Sequence, residues 1–389
     1  MSRRNSSVIA IALLLTACAA QPRSVKPVVA MPPAESAAST DKTNTTSSAA
    51  GSDTVASQTP LVEESPRPFD MTRPEIVAFI DTLSTKHAIP ADELRALLGQ
   101  GIFQPKIITA MTRPAERVLA WWEYKDRLVS SERVARGRDF WNLHRDRLQA
   151  IESKTGVDAA IIVAIIGVET NYGRNMGSWR VLDALMTLGF DYPRRAEFFR
   201  SELEHFILLA REESWDPLTI RGSYAGAMGA PQFMPSSYRR FAVDGSAADN
   251  VTARRDLFAD WDDIVASVAN YFTAHGWQSG QPVLVEAAAP TEILSALDRR
   301  NLDLNHTLAS LRTSGVTFES SLPAETRAIL VPAETTAGPA ARIGLNNFRV
   351  ITRYNRSVLY AMAVNDLAVS LRTSSESSAT PSATPGTAP

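Results

Sequence analysis

Apolar positions recur at helical spacing along most of the chain. In PEIVAFIDTLSTKH they fall at Ile76, Phe79, Ile80 and Leu83, one stripe of a helix. Pro90 ends that run, and ADELRALLGQG starts another helix that closes at Gly99 and Gly101. SSERVARGRDFWNLHRDRLQAIESKTG places Val134, Trp141, Leu148 and Ile151 on one face and predicts a single long amphipathic helix ended by Gly156. Asp158 then stands as the cap of the next run, AAIIVAIIGV, which is apolar on every face and so predicts a buried helix. SWRVLDALMTLG, PRRAEFFRSELEHFILLAREE (with Pro193 in its first turn) and residues 261–275 predict three more helices.

After Trp277 the period changes. PVLVEA, AILVPA and the residues around Ile343 read as strands bounded by Pro and Gly, with a short helix PTEILSALDRR among them. They predict a small antiparallel sheet lobe over about 281–343, after which LNNFRVITRYN and SVLYAMAVNDLAVSLR return to helix. The ends are different again. From Ala19 to about Pro66, and from 373 to 389, Ser, Thr, Ala and Pro dominate and aromatics are few. Such stretches cannot bury enough surface to offset chain entropy and predict disorder. The N-terminal one reads as a flexible linker with an r.m.s. span of roughly 40 Å. The expected class is therefore α+β, mainly α, with one folded region over 67–372 whose core lies at about 150–277.

Of 389 residues, 44% are hydrophobic, enough for a large core. The formal net charge of -2 does not suit a nucleic-acid binder. The single cysteine, Cys18, closes the segment MSRRNSSVIAIALLLTAC, where Arg3 and Arg4 precede an apolar run from Val8 to Ala17. That run is too short to span a bilayer and reads as a signal peptide over residues 1–17. Leu15-Thr16-Ala17-Cys18 resembles a bacterial lipobox, which implies a lipidated Cys18 at the mature N-terminus. An ordinary secretory signal cut near Ala19 or Ala20 is the other reading. Ala19, rather than Asp, after the cysteine implies sorting to the outer membrane of a Gram-negative cell, facing the periplasm. One cysteine excludes an intrachain disulfide, and five scattered histidines offer no paired ligand spacing, so no metal site is expected.

Two stretches carry candidate chemistry. In AIIVAIIGVETNYGRNMGS a lone carboxylate, Glu169, ends the all-apolar helix. Burial and the negative end of the helix dipole both favour its protonated form, which suits a general acid. A buried Glu169 tied to Arg174 or Arg195, merely joining two helices, fits the position equally well. In RGSYAGAMGAPQFMPSSYRR small residues allow close backbone approach, Gln232 supplies an amide for hydroxyl or acetamido groups, and Pro235 can open a helix beside a cleft. Tight helix–loop packing without a ligand is the alternative there.

GVETNYGR, LDALMTLGFDYPRRAEFF, GSYAGAMGAPQFMPSSY, SVANYFTAHGW and LNNFRVITRYN together resemble the successive motifs of the B-type membrane-bound lytic murein transglycosylases (glycoside hydrolase family 103), in order and across most of residues 70–371. The resemblance implies a lysozyme-like core with a helical lobe and a small antiparallel β-sheet lobe. It implies cleavage of the β-1,4 bond between N-acetylmuramic acid and N-acetylglucosamine in peptidoglycan glycan strands, without water and without a cofactor, leaving a 1,6-anhydro ring. By the same resemblance Glu169 is the sole acid/base. Ser223, Gln232, Tyr271, Tyr354, Asn355 and Tyr360 are cleft residues, and Arg194 and Arg195 meet substrate carboxylates. Cell-wall synthesis enzymes are candidate partners.

One region departs from the family. Some members carry a helix–loop–helix calcium site where this chain has AVDGSAADNVTARRDLFADWDD, and Asp244, Asp249 and Asp260 do not fall at the alternating spacing that such a loop needs. A muramidase using water and a catalytically silent glycan-binding lipoprotein are the competing expectations. No second carboxylate near the motifs speaks against the first, and the intact Glu169 against the second.

Overall fold

The computed structural model describes residues 65–112, 119–246, 254–298 and 301–377. The signal peptide, Cys18 and nearly all of the linker lie outside them, as do residues 247–253 of the calcium-loop-like region.

The helices follow the apolar stripes closely. They are α1 (Pro74–His87), α2 (Ala91–Leu98), α3 (Pro105–Thr112), α4 (Trp121–Leu128), α5 (Ser131–Leu143), α6 (Arg145–Thr155), α7 (Ala159–Thr170) and α8 (Val181–Asp191). A 3-10 turn, Pro193–Arg195, leads into α9 (Ala196–Glu212), so Pro193 opens that turn rather than the α-helix. Then come α10 (Pro235–Phe241), α11 (Trp261–Ala274), α12 (Thr291–Ser295), α13 (Leu308–Thr313), α14 (Asn346–Tyr354) and α15 (Val358–Ser377). Helix α15 runs past 373 into the stretch expected to be disordered. Propagation of a formed helix gains a backbone bond per residue, which extends it beyond the composition boundary.

The long helix expected over 131–155 is two helices. It breaks at His144, whose φ of -113° and ψ of 19° leave the helical region. Its imidazole, 7% exposed, stacks 4.4 Å from Phe140 and 5.2 Å from Trp261. The break lets α5 lie on α7 and α15 while α6 lies along α11, two directions that one straight rod cannot follow.

Strands β1 (Arg67–Pro68) and β2 (Ile102–Phe103) pair near the start, and β3 (Trp179–Arg180) pairs with β4 (Arg221–Gly222). The sheet lobe holds β5 (Leu284–Ala287), β6 (His306–Thr307), β7 (Arg327–Pro332) and β8 (Ala341–Gly344), antiparallel in the order β5-β8-β7-β6. Strand β7 is buried on both faces. Ala328 and Leu330 join a small core with Leu308, Leu311 and Ile343, whereas Ile329 and Val331 join the main core. That double burial is why AILVPA reads as an unbroken apolar run. Strand β6 and α13 carry no such signal. They are fixed by a reciprocal cap, in which the Ser310 amide donates to Thr307 Oγ1 at 3.1 Å and the Thr307 amide to Ser310 Oγ at 3.0 Å.

Candidate active site

Helix α7 is the axis of the site. Asp158 Oδ1 accepts the Ala160 amide at 2.8 Å and caps its start, and every residue from Ala159 to Gly167 is buried. Its end is turned sharply by three consecutive left-handed residues, Asn171 (φ 52°), Tyr172 (φ 61°) and Gly173 (φ 79°). Two neighbours hold that turn. Thr170 donates its hydroxyl to the Ala230 carbonyl at 2.8 Å, binding the end of α7 to the 221–240 loop. The Tyr172 hydroxyl donates to the Arg133 carbonyl at 3.0 Å, and its ring fills the space left by two helical glycines. A Cβ on Gly137 would stand 2.3 Å from the Tyr172 hydroxyl oxygen, and one on Gly167 2.6 Å from its ring.

Glu169 is thereby delivered to the cleft at the last turn of a buried helix. Protein surrounds its carboxyl on most sides, yet the residue keeps part of its surface open. Oε1 accepts the hydroxyl of Tyr360 from α15 at 2.6 Å. Burial pushes the carboxyl up from 4.5 to about 7, and the Tyr360 hydrogen bond pulls it back in part. Neither Arg174 nor Arg195 pairs with it, so the ion-pair reading of this residue does not hold.

Three tyrosines from three helices feel the Glu169 charge. Burial and then Glu169 raise Tyr360 and Tyr354 well above the usual phenol range, and the same two causes push Tyr124 of α4 up to about 12. Tyr124 was not singled out from the sequence. Its only trace there is the aromatic cluster WWEY, in a short helix with too few apolar positions to show a stripe.

The 221–240 loop is joined to the end of α7 by the Thr170–Ala230 bond. Ser223 Oγ accepts the amides of Ala227 at 3.0 Å and Ala225 at 3.3 Å. Gln232 sits at φ 53°, and its amide nitrogen donates to the carbonyls of Gly229 at 2.9 Å and Met176 at 3.2 Å. Both N–H groups are thus occupied, and the amide offers a ligand an acceptor oxygen. Helix α10 opens at Pro235 as expected. The buried Glu202 caps it, accepting the Ser236 amide at 2.9 Å and its hydroxyl at 2.7 Å.

The remaining expected cleft residues are differently placed. Tyr271 is 5% exposed and its hydroxyl donates to the Arg353 carbonyl at 2.7 Å. Its ring stacks 4.1 Å from His275 and meets Tyr354 at 4.8 Å, so its flat face packs on protein. Tyr354 donates to the Pro231 carbonyl at 2.6 Å, tying α14 to the catalytic loop. Asn355 leaves its buried Oδ1 without a partner, an acceptor still to be satisfied. Arg195 lies 4.3 Å over the Phe198 ring, and Arg194 is exposed beside it. Cys18 lies outside the described residues.

Chemically, the cleft presents one carboxylic acid poised near neutrality, ringed by phenols. Among the described residues no second carboxylate and no cation bonds to it. Among the described residues no cluster of His, Cys, Asp and Glu could hold a metal ion. A single acid that can give and take a proton suits cleavage in which the substrate supplies its own nucleophile.

Comparison with known proteins agrees. The profile of the family described as Transglycosylase SLT domain matches residues 72–369. Membrane-bound lytic murein transglycosylase B of Escherichia coli (strain K12) is 40% identical over 302 residues, covering 75% of this chain and 81% of the relative. The catenated lytic transglycosylase SltB1 of Pseudomonas aeruginosa superposes with a TM-score of 0.73 at 44% identity, covering 77% of this chain and 98% of that one. The Escherichia coli lytic transglycosylase Slt35, solved with bulgecin A, superposes with a TM-score of 0.71 at 39% identity, covering 79% and 96%. With the match running through Glu169, the 221–240 loop and the sheet lobe, the chain belongs to the Transglycosylase SLT domain family and is a lytic transglycosylase that cleaves peptidoglycan glycan strands.

Proposed function

We propose that Glu169 serves first as general acid and then as general base in one non-hydrolytic cleavage. Its protonated Oε2, the oxygen not engaged by Tyr360, gives the proton to the glycosidic oxygen as the bond from muramic C1 breaks. The carboxylate left behind takes the proton from the muramic 6-hydroxyl, whose oxygen closes on C1. Protons balance, no water enters, and the products are an N-acetylglucosamine end and a 1,6-anhydromuramic acid end. The 2-acetamido oxygen of the substrate shields the developing positive charge at C1.

The single observation that carries this reading is the Glu169 carboxyl, pushed up to about 7 by burial with a tyrosine hydroxyl as its one hydrogen-bond partner among the described residues. Tyr360 holds the carboxyl in one orientation and steadies its anionic form. Ser223, Gln232 and Asn355 supply polar contacts to the sugars. Tyr354 and Tyr271 shape the floor beneath them, and Arg194 and Arg195 meet lactyl or stem-peptide carboxylates. Cys18 carries the lipid that anchors the protein in the outer membrane. The linker lets the enzyme reach the wall from there, where cell-wall synthesis enzymes are its candidate partners.

The test is digestion of purified peptidoglycan by the chain starting at Ser65, with mass spectrometry of the released muropeptides. Products lighter by one water, absent with Glu169→Gln while wall binding persists, support the assignment. Undiminished release by Glu169→Gln would remove Glu169 from the reaction. Free reducing ends would require water and a second carboxylate.

A further inference from the structure

Helices α4 and α15 bring Tyr124 and Tyr360 to Glu169, and a second polar cluster joins the same two helices to the sheet lobe. Asp366 of α15 is 7% exposed. Arg342 of β8 grips it with both terminal nitrogens, Nη1 to Oδ1 at 2.8 Å and Nη2 to Oδ2 at 3.3 Å. Lys125 of α4 places Nζ 2.9 Å from Asp366 Oδ2. The same Arg342 forms an ion pair with Glu286 of β5, Nε lying 2.8 Å from Oε1, and its guanidinium lies 5.4 Å over the Trp121 ring, again on α4. The Trp122 amide donates to the Glu334 carbonyl at 3.2 Å, between β7 and β8.

These contacts matter because α4 is too short to hold its own position and takes its seat from α15 and the sheet lobe together. It has eight residues, and a two-turn helix has little stability of its own. Trp121 is its only fully buried residue. Both Trp121 and Lys125 are held through Arg342 and Asp366, and Tyr124 lies between them in the chain. Helix α15, by contrast, packs on α7 over much of its length and needs no such brace. We infer that Arg342 and Asp366 are positioning residues, which seat α4 and its Tyr124 against α15, the helix whose Tyr360 holds Glu169, and make the sheet lobe a working part of the catalytic site. Neither touches the sugar. The inference rests on Glu169 being the acid.

The experiment measures kcat, KM and pH profile for anhydro-muropeptide release by the full chain. It compares Arg342→Met, Asp366→Asn, Tyr124→Ala, the combination Tyr124→Ala/Arg342→Met, and Glu169→Gln. The paired variant Arg342→Met/Asp366→Leu guards against misfolding. It removes both buried charges, and the half-exposed Lys125 and exposed Glu286 can turn to water.

Displacing Tyr124 should cost about ten- to a hundredfold in kcat with KM nearly unchanged. The alkaline limb should move to lower pH in Arg342→Met, because water reaching Glu169 relieves its burial while Tyr360 and Tyr354 remain in place. Arg342→Met should add nothing in the Tyr124→Ala background, since both act through one contact. Arg342→Lys, which keeps a cation against Asp366, should recover part of the rate. The inference is overturned by full kcat in the folded paired variant, by losses that multiply with Tyr124→Ala, or by an unmoved alkaline limb. Wild-type activity in Glu169→Gln would instead sink the underlying assignment, whatever the Arg342 variants do.

Discussion

At the scale of single residues the acid decides the behaviour. A general acid must be protonated, so release of anhydro-muropeptides should fall as pH rises through the Glu169 value of about 7. A rate that stays flat into strongly alkaline solution would contradict that role. Tyr360→Phe removes a bond that favours the carboxylate, so the alkaline limb should shift to higher pH and kcat should drop. Stability carries the opposite signature. Folded Glu169 holds its proton from about 4.5 up to about 7, where the unfolded chain has released it. The folded state therefore binds more protons in that window, and stability falls as pH rises through it. Glu169→Gln should be no more stable than the wild type at acid pH and more stable above pH 7, by at most about 3 kcal/mol. Melting curves at the two ends of the window give the difference directly, and equal offsets at both would refute it. The position of Glu169 at the end of an apolar run was legible in the sequence. Its partner was not, because Tyr360 lies 191 residues away and only packing brings it within 2.6 Å.

At the scale of elements, periodicity predicted what local chemistry governs and missed what neighbours impose. Helix α7 reads plainly because both its cap and its apolar faces are local. The break at His144 does not. The residues on either side keep a helical stripe, and Phe140 and Trp261 decide the bend. Short elements such as α4, β6 and α13 are equally hidden, since eight residues or fewer rarely show a period. The contact of α5 with α7 yields a prediction against ordinary propensity. Gly→Ala inside a helix usually gains about 1 kcal/mol. At Gly137 or Gly167 it should instead cost about 1–3 kcal/mol, because the new methyl meets the Tyr172 ring. Denaturant unfolding measures this, and any stabilisation would mean that Tyr172 is free to move aside. Tyr172 lies in the turn that follows Glu169, so such variants should also lose activity.

At the scale of the whole molecule, two distant parts depend on tertiary structure and one on the sequence's own ends. The sheet lobe was expected as a small appendage, yet strand β7 shares its residues between the lobe's core and the main one. Arg342 extends that union to the helices around the acid. The proposed lipid anchor gives a cell-level prediction. Cys18→Ser should move the protein from the membrane fraction to the soluble periplasm, and the purified variant should digest peptidoglycan at an unchanged rate. Continued membrane association of that variant would argue for another means of attachment.

The sequence by itself determined the helical character, the late sheet, the composition of the ends and, through its ordered motifs, the family and the reaction. These follow from hydrophobic period, capping residues and short contiguous patterns, all of which act within a few residues. Tertiary structure alone decided which tyrosines ring Glu169, where the 131–155 helix breaks, that Tyr271 is packed among rings, and how β8 reaches α4 and α15. Those arrangements arise from burial and shape complementarity between segments far apart in the chain. No local pattern encodes them, because each contact exists only once the other surfaces have been brought together.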